Sequence, residues 1–214
     1  TLFRSIIRLK TAMKFLGYNP DDFEIMLLQM VTLLRDGQPV KMSKRTGQAV
    51  TLRELMDEVG TDAARYFFLM RSLDSQLDFD LDLAKKKSND NPVYYIQYAH
   101  ARICSIFRQA EETGLKLGSQ PELSLLTDEA EVALIKKIEE YLEEVERAAR
   151  DYAPQRIARY SYDLASAFHS YYAAERFLVD EVELSRARVA LLSATAQVLR
   201  NGLSLLGVSA PDKM

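Results

Sequence analysis

The chain has 214 residues, 48% of them hydrophobic and 28% charged, with no tryptophan and a formal net charge of -3. Such a composition is that of an ordinary folded protein of one or two domains, and it excludes a disordered, collagen-like or disulfide-stapled chain. It holds no apolar run long enough to span a bilayer and no signal-like opening, and its single cysteine, Cys104, precludes an intramolecular disulfide framework, so a reducing, cytoplasmic setting is expected.

In chain order, Leu2 to Leu16 reads as an amphipathic helix stopped by Gly17. Ile25 to Leu34 is an apolar run too short and dense to assign by periodicity. Asp36-Gly37 after it is a tight-turn signal with Val40 resuming beyond, which fits a short hairpin or a strand with a hooked end. Thr51-Leu52-Arg53-Glu54 is a capping box, so a helix starts there and stops at Gly60. A further helix is predicted from Thr61 to Arg71. Asp74, Asp78, Asp80 and Asp82 then interrupt the pattern and read as a solvated acidic connector, since the glycine and terminal glutamate of a calcium loop are missing.

Beyond Lys85 the pattern is helical: Pro92 to Glu112, Asp128 to Tyr152, Pro154 to Phe177 and Leu184 to Leu206. Pro92 and Pro154 fit first turns, Gly114 and Gly207 fit C-caps, and Asp128 with Glu131 forms a second capping box. Such helices bury their stripes as an antiparallel bundle.

Charge is unevenly placed. Up to Met56 the balance is +4, from Asp57 to Asp90 it is -3, and the remainder carries -4. Within the positive stretch lies Val40-Lys41-Met42-Ser43-Lys44-Arg45-Thr46-Gly47, a loop with two lysines and a hydroxyl between Gly37 and Gly47. Ammonium groups are compact charges suited to polyphosphate oxygens, and flanking glycines give a loop freedom to move. A solvated basic turn is the plainer account, although literal KMSK is far rarer than a loose basic-hydroxyl-basic pattern.

In the helical part, Tyr95, Tyr98 and Arg102 share one helix face, while Ile96, Ala99, Ile103 and Ile106 line a core face. His169, Tyr172 and Arg176 repeat the chemistry on a later helix. Phenol rings beside a guanidinium can stack unpaired bases, but tyrosines at the edge of a bundle core have the same pattern. His100 and His169 are isolated in sequence and read as structural or surface histidines, and no metal site is expected.

These segments together resemble the C-terminal portion of bacterial-type arginyl-tRNA synthetases, which are class I enzymes. The likeness is carried by Asp36-Gly37 with Val40 to Gly47, Gly60-Thr61-Asp62-Ala63-Ala64-Arg65-Tyr66-Phe67, Leu77 to Asp82, Asn91 to Arg102, and the ending Leu205-Leu206-Gly207-Val208-Ser209-Ala210-Pro211. The resemblance implies a mainly α chain: residues 1–85 as the C-terminal remnant of a Rossmann-like α/β catalytic domain, and residues 86–214 as an all-α helical-bundle anticodon-binding domain. It also implies that Lys41, Met42, Ser43 and Lys44 bind ATP, with Lys41 and Lys44 catalytic through stabilising charge on the departing pyrophosphate. Tyr95, Tyr98, Arg102, Tyr172 and Met214 match positions that contact anticodon bases.

ATP with Mg2+, arginine and arginine tRNA are the implied ligands, with no membrane partner and a monomeric parent enzyme. The HIGH-type motif of class I enzymes is not found in this chain, which opens at Thr1. The sequence is therefore read as a fragment inactive by itself, supplying the KMSK loop and anticodon recognition to an arginine-tRNA ligase. A non-enzymatic tRNA-binding module, or a helical assembly protein whose tyrosine faces bury a partner helix, are the alternatives.

Overall fold

A computed structural model describes residues 2–40, 50–115 and 121–214. The KMSK tetrapeptide, Lys41 to Lys44, lies outside the described residues.

Helix α1 (Leu2–Phe15) leads to a short 3-10 turn at Pro20–Asp22. Strand β1 (Val31–Arg35) takes only the end of the apolar run, and it turns back antiparallel onto β2 (Gln38–Pro39). The turn is built from Asp36 and Gly37 at φ of 53° and 70°, the left-handed pair that a two-residue hairpin demands, so the hairpin alternative holds. Helix α2 (Leu52–Val59) opens on the Thr51–Glu54 capping box. Gly60, at φ 84° and ψ 155°, separates it from α3 (Thr61–Leu69).

The aspartate-rich stretch is not a solvated connector. Leu77–Asp80 is strand β3, parallel to β1, completing a sheet of order β2-β1-β3. Leu77 and Phe79 alternate inward while Asp78 faces out, a period of two that the density of acids concealed. Asp80 then caps α4 (Leu81–Lys85) by accepting from the backbone N–H groups of Asp82 and Leu83. Asp82 accepts from the Asp36 N–H at 2.6 Å, tying α4 to the hairpin turn. Two of the four aspartates are thus structural hydrogen-bond acceptors.

The helical part comprises α5 (Pro92–Glu112), α6 (Glu129–Glu139), α7 (Tyr141–Arg150), α8 (Gln155–Ala174) and α9 (Val182–Leu205). The predicted single helix from Asp128 to Tyr152 is two, broken at Glu140 without Gly or Pro to announce it. The predicted helix to Phe177 ends at Ala174, and Phe177 folds back against Phe168, Tyr171 and Tyr172.

One continuous apolar core runs from Leu33 in β1 to Val208 after α9. Helix α3 fastens the sheet to the bundle: Tyr66 donates its hydroxyl to the Ala158 carbonyl at 3.1 Å, Arg65 donates from Nε to the Leu206 carbonyl at 2.8 Å, and Asp62 accepts from Gln97 at 2.8 Å and from the Ser209 N–H at 3.2 Å. Val40 and Val50, on either side of residues 41–49, both pack on this core.

Candidate nucleic-acid interface

Helices α5 and α8 lie against each other, and their facing edges carry the aromatic residues singled out in the sequence. Asn91 starts α5 by accepting the Val93 N–H, with Pro92 at the first helical position, so the register of Tyr94, Tyr95, Tyr98 and Arg102 is set from a firm cap. The apolar stripe Ile96, Ala99, Ile103 and Ile106 is buried as predicted, leaving the tyrosine stripe half-buried at the edge of the core.

The Arg102 guanidinium sits between two rings, with Cζ 4.4 Å from the Tyr98 centroid and 4.6 Å from that of Tyr172. Such cation–π contacts fix the guanidinium plane. Tyr172 is 39% exposed. His169 completes the group: its ring centroid lies 4.5 Å from that of Tyr95 and 6.1 Å from that of Tyr98. Arginine only donates, so His169 Nδ1 accepts from Arg102 at 3.5 Å and Nε2–H donates to the Tyr95 carbonyl at 3.3 Å. Burial is the first cause holding the His169 pKa below its ordinary value, and the neighbouring Arg102 charge adds to it. A neutral imidazole therefore serves as a spacer that orients Arg102.

Tyr94 stacks on Tyr98 at 5.9 Å, and Tyr162 on α8 lies 5.1 Å from Tyr95. Neither was singled out in the sequence. Their i, i+4 and cross-helix partnerships extend the strip of rings in both directions, and the Tyr94–Tyr98 spacing was a signal available beforehand.

The tail after α9 docks on the other side of α5, on the face bearing Gln97, His100, Cys104 and Arg108. Gln97 donates to the Ser209 carbonyl at 3.0 Å and Arg108 to the Asp212 carbonyl at 3.2 Å. His100 is buried, with Nδ1–H donating to the Pro211 carbonyl at 3.0 Å and Nε2 accepting from Arg200 at 3.2 Å. Both ring nitrogens are thereby occupied, so the His100, Cys104 and Asp212 group, though within 4.8 Å of one another, works as a clasp for the tail. Burial pushes the Cys104 thiol up to about 11, keeping it protonated. Met214 ends the tail half-exposed. Arg176 is exposed beyond the end of α8, and its carbonyl accepts from the buried Arg188.

A bundle whose edge presents a guanidinium between two aromatic rings defines a class of α-helical domains able to stack unpaired bases. The family described as the DALR anticodon binding domain matches residues 96–214, and the chain belongs to this family. Curated relatives include the arginine-tRNA ligase of Shouchella clausii, 55% identical over 210 residues, and that of Desulfitobacterium hafniense, 55% identical over 212 residues. Each alignment takes in 98% of this chain and 38% of the relative, so the chain spans well under half the length of these relatives. Among solved structures it is similar to one from Campylobacter jejuni, with a TM-score of 0.84 and 35% identity over 98% of this chain and 45% of that one. It is also similar to Thermus thermophilus arginyl-tRNA synthetase, with a TM-score of 0.70 and 27% identity over 86% of this chain and 34% of that one.

Proposed function

We propose that this chain is the C-terminal portion of an arginine-tRNA ligase, in which residues 86–214 bind the anticodon arm of arginine tRNA and residues 1–85 carry the end of the catalytic domain. The observation that carries the reading is Arg102 held between Tyr98 and Tyr172, within a domain of the anticodon-binding family. Unpaired anticodon bases stack on the exposed rings of the strip, Tyr172 among them, while the guanidinium, fixed in plane, donates hydrogen bonds to base edges. Tyr95, through His169, sets the position of Arg102, and Met214 contributes from the free end of the tail.

Lys41 and Lys44, with Met42 and Ser43, contact the ATP phosphates when the loop closes and stabilise the negative charge that develops as pyrophosphate leaves. The support for this role is the motif itself together with its described flanks, since Val40 and Val50 both pack on the core. Mg2+ would accompany ATP, the arginine pocket lies mostly outside this chain, and the working compartment is the cytoplasm. The parent enzyme is a monomer. No helix among the described residues is long and apolar enough to cross a membrane.

Two assays test the division of labour. The isolated chain should retard arginine tRNA in a native gel and yet give no arginine-dependent ATP–pyrophosphate exchange. Exchange by the isolated chain, or failure to bind the tRNA, would overturn it.

A further inference from the structure

We infer that the groove between the end of α3, α4 and the first turns of α5 and α8 is a second RNA site, which receives one unpaired nucleotide adjoining those on the Tyr98–Arg102–Tyr172 platform. The inference rests on the RNA-binding reading above. The groove has a volume of about 480 Å³ and is lined at its base by buried or half-buried Phe67, Met70 and Leu83. Exposed Arg71, Arg159 and Tyr162 form its rim.

Three features fit a nucleotide. The apolar base with Tyr162 beside it offers a surface for a base, the sequence-tolerant mode of single-strand binding. The rim cations are available: Arg71 makes no ion pair among the described residues, and Arg159, 85% exposed at its side chain, has only a 4.0 Å pair with Asp163. The one carboxylate lining the groove, Asp90, is partnered by Lys86 at 3.5 Å, so the two rim arginines give the lining a net positive charge. Guanidinium forks match phosphate oxygens in charge and geometry.

Position adds the fourth argument. Tyr162 is 5.1 Å from Tyr95, Tyr95 is 4.5 Å from His169, and His169 touches Arg102. The groove therefore continues the platform, and this row of rings leads from the platform to Tyr162. A free small anion would need neither the apolar base nor the adjoining rings.

The test is a titration of the full chain with a hairpin RNA bearing an arginine anticodon loop, repeated across a range of salt. For Arg71→Ala/Arg159→Ala, with folding checked by circular dichroism, Kd should rise about tenfold and the slope of log K against log salt should become shallower by about 1.4, as for two phosphates on a single strand. Tyr162→Leu should erase the loss that the wild-type chain shows when one loop base outside the anticodon triplet is made abasic. Unchanged affinity and slope in the double arginine variant would overturn the groove while leaving the platform standing. A shallower slope in a chain indifferent to the anticodon would support the groove and sink the platform. No RNA binding by the wild-type chain would sink both.

Discussion

Arg102 on α5 and Tyr172 on α8 meet with the guanidinium carbon 4.6 Å from the ring centroid, although they belong to helices far apart in the sequence. The contact exists because α8 packs along α5, with Leu164, Ala165 and Phe168 buried completely in the shared core. Removing the planar group should be felt more than removing the phenol oxygen. Arg102→Ala is expected to weaken binding of an arginine anticodon hairpin by about 1 to 3 kcal/mol, Arg102→Lys to recover only part, and Tyr172→Phe to bind nearly as the parent. Fluorescence anisotropy titrations at one fixed salt concentration measure all three.

The buried pair Glu131–Arg188 should matter for stability. Arg188 Nε donates to Glu131 at 2.7 Å, the Tyr171 hydroxyl donates to the same carboxylate at 3.0 Å, and Arg188 also pairs with Glu175 at 3.2 Å. Glu131 and Tyr171 are essentially inaccessible, so deleting the cation strands a buried carboxylate. Arg188→Ala should cost about 3 to 5 kcal/mol in urea denaturation, and Glu131→Leu/Arg188→Met should cost less than that single change.

How much of this was legible beforehand depends on the range of the interaction. The Thr51 and Asp128 capping boxes, the Asp36-Gly37 hairpin and the core stripe of α5 are local signals, and each is present as read. The same Glu131 that announced a capping box is also the buried anchor for Arg188, a role no local pattern conveys. Strand β3 is hidden in the sequence because its acids mask the Leu77–Phe79 alternation, and the break at Glu140 because no Gly or Pro marks it. That Tyr95, Tyr98 and Arg102 share a helix face could be read from sequence, whereas the clamping of Arg102 by Tyr172, the docking of the tail across His100, and the Arg71–Arg159 groove arise only from packing.

A steric relationship in the bundle gives a third prediction. A Cβ placed on Gly202 would lie 2.6 Å from the Ser161 Oγ, and that buried hydroxyl has no hydrogen-bond partner among the described residues. Gly202→Ala should therefore destabilise by about 1 to 3 kcal/mol through overpacking. Ser161→Ala removes both the obstacle and an unsatisfied polar atom, so Gly202→Ala/Ser161→Ala should restore most of the loss. Thermal unfolding of the four proteins in the cycle reads the coupling directly.

Acid should loosen the fold through its histidines. Burial first, and then the Arg200 charge, hold His100 below its ordinary 6.5 despite the Pro211 hydrogen bond. The unfolded chain then binds a proton that the folded chain refuses. Stability from this group is thus fully present above about pH 6.5 and is lost as pH falls below it, with a slope of at most about 1.4 kcal/mol per pH unit. His169 shifts in the same direction and adds to the effect. Denaturation midpoints compared at pH 7.5 and 5.5 should fall for the parent chain and fall less for His100→Gln.

The central claim is that the ring strip of α5 and α8 reads an anticodon. The most direct measurement is the ratio of Kd values, at one salt concentration, for two hairpins that differ only in the anticodon bases, one carrying an arginine anticodon and the other not. The account predicts that the arginine hairpin binds at least tenfold more tightly, and that Arg102→Ala brings the ratio close to one. Equal affinity for the two hairpins in the parent chain would contradict it.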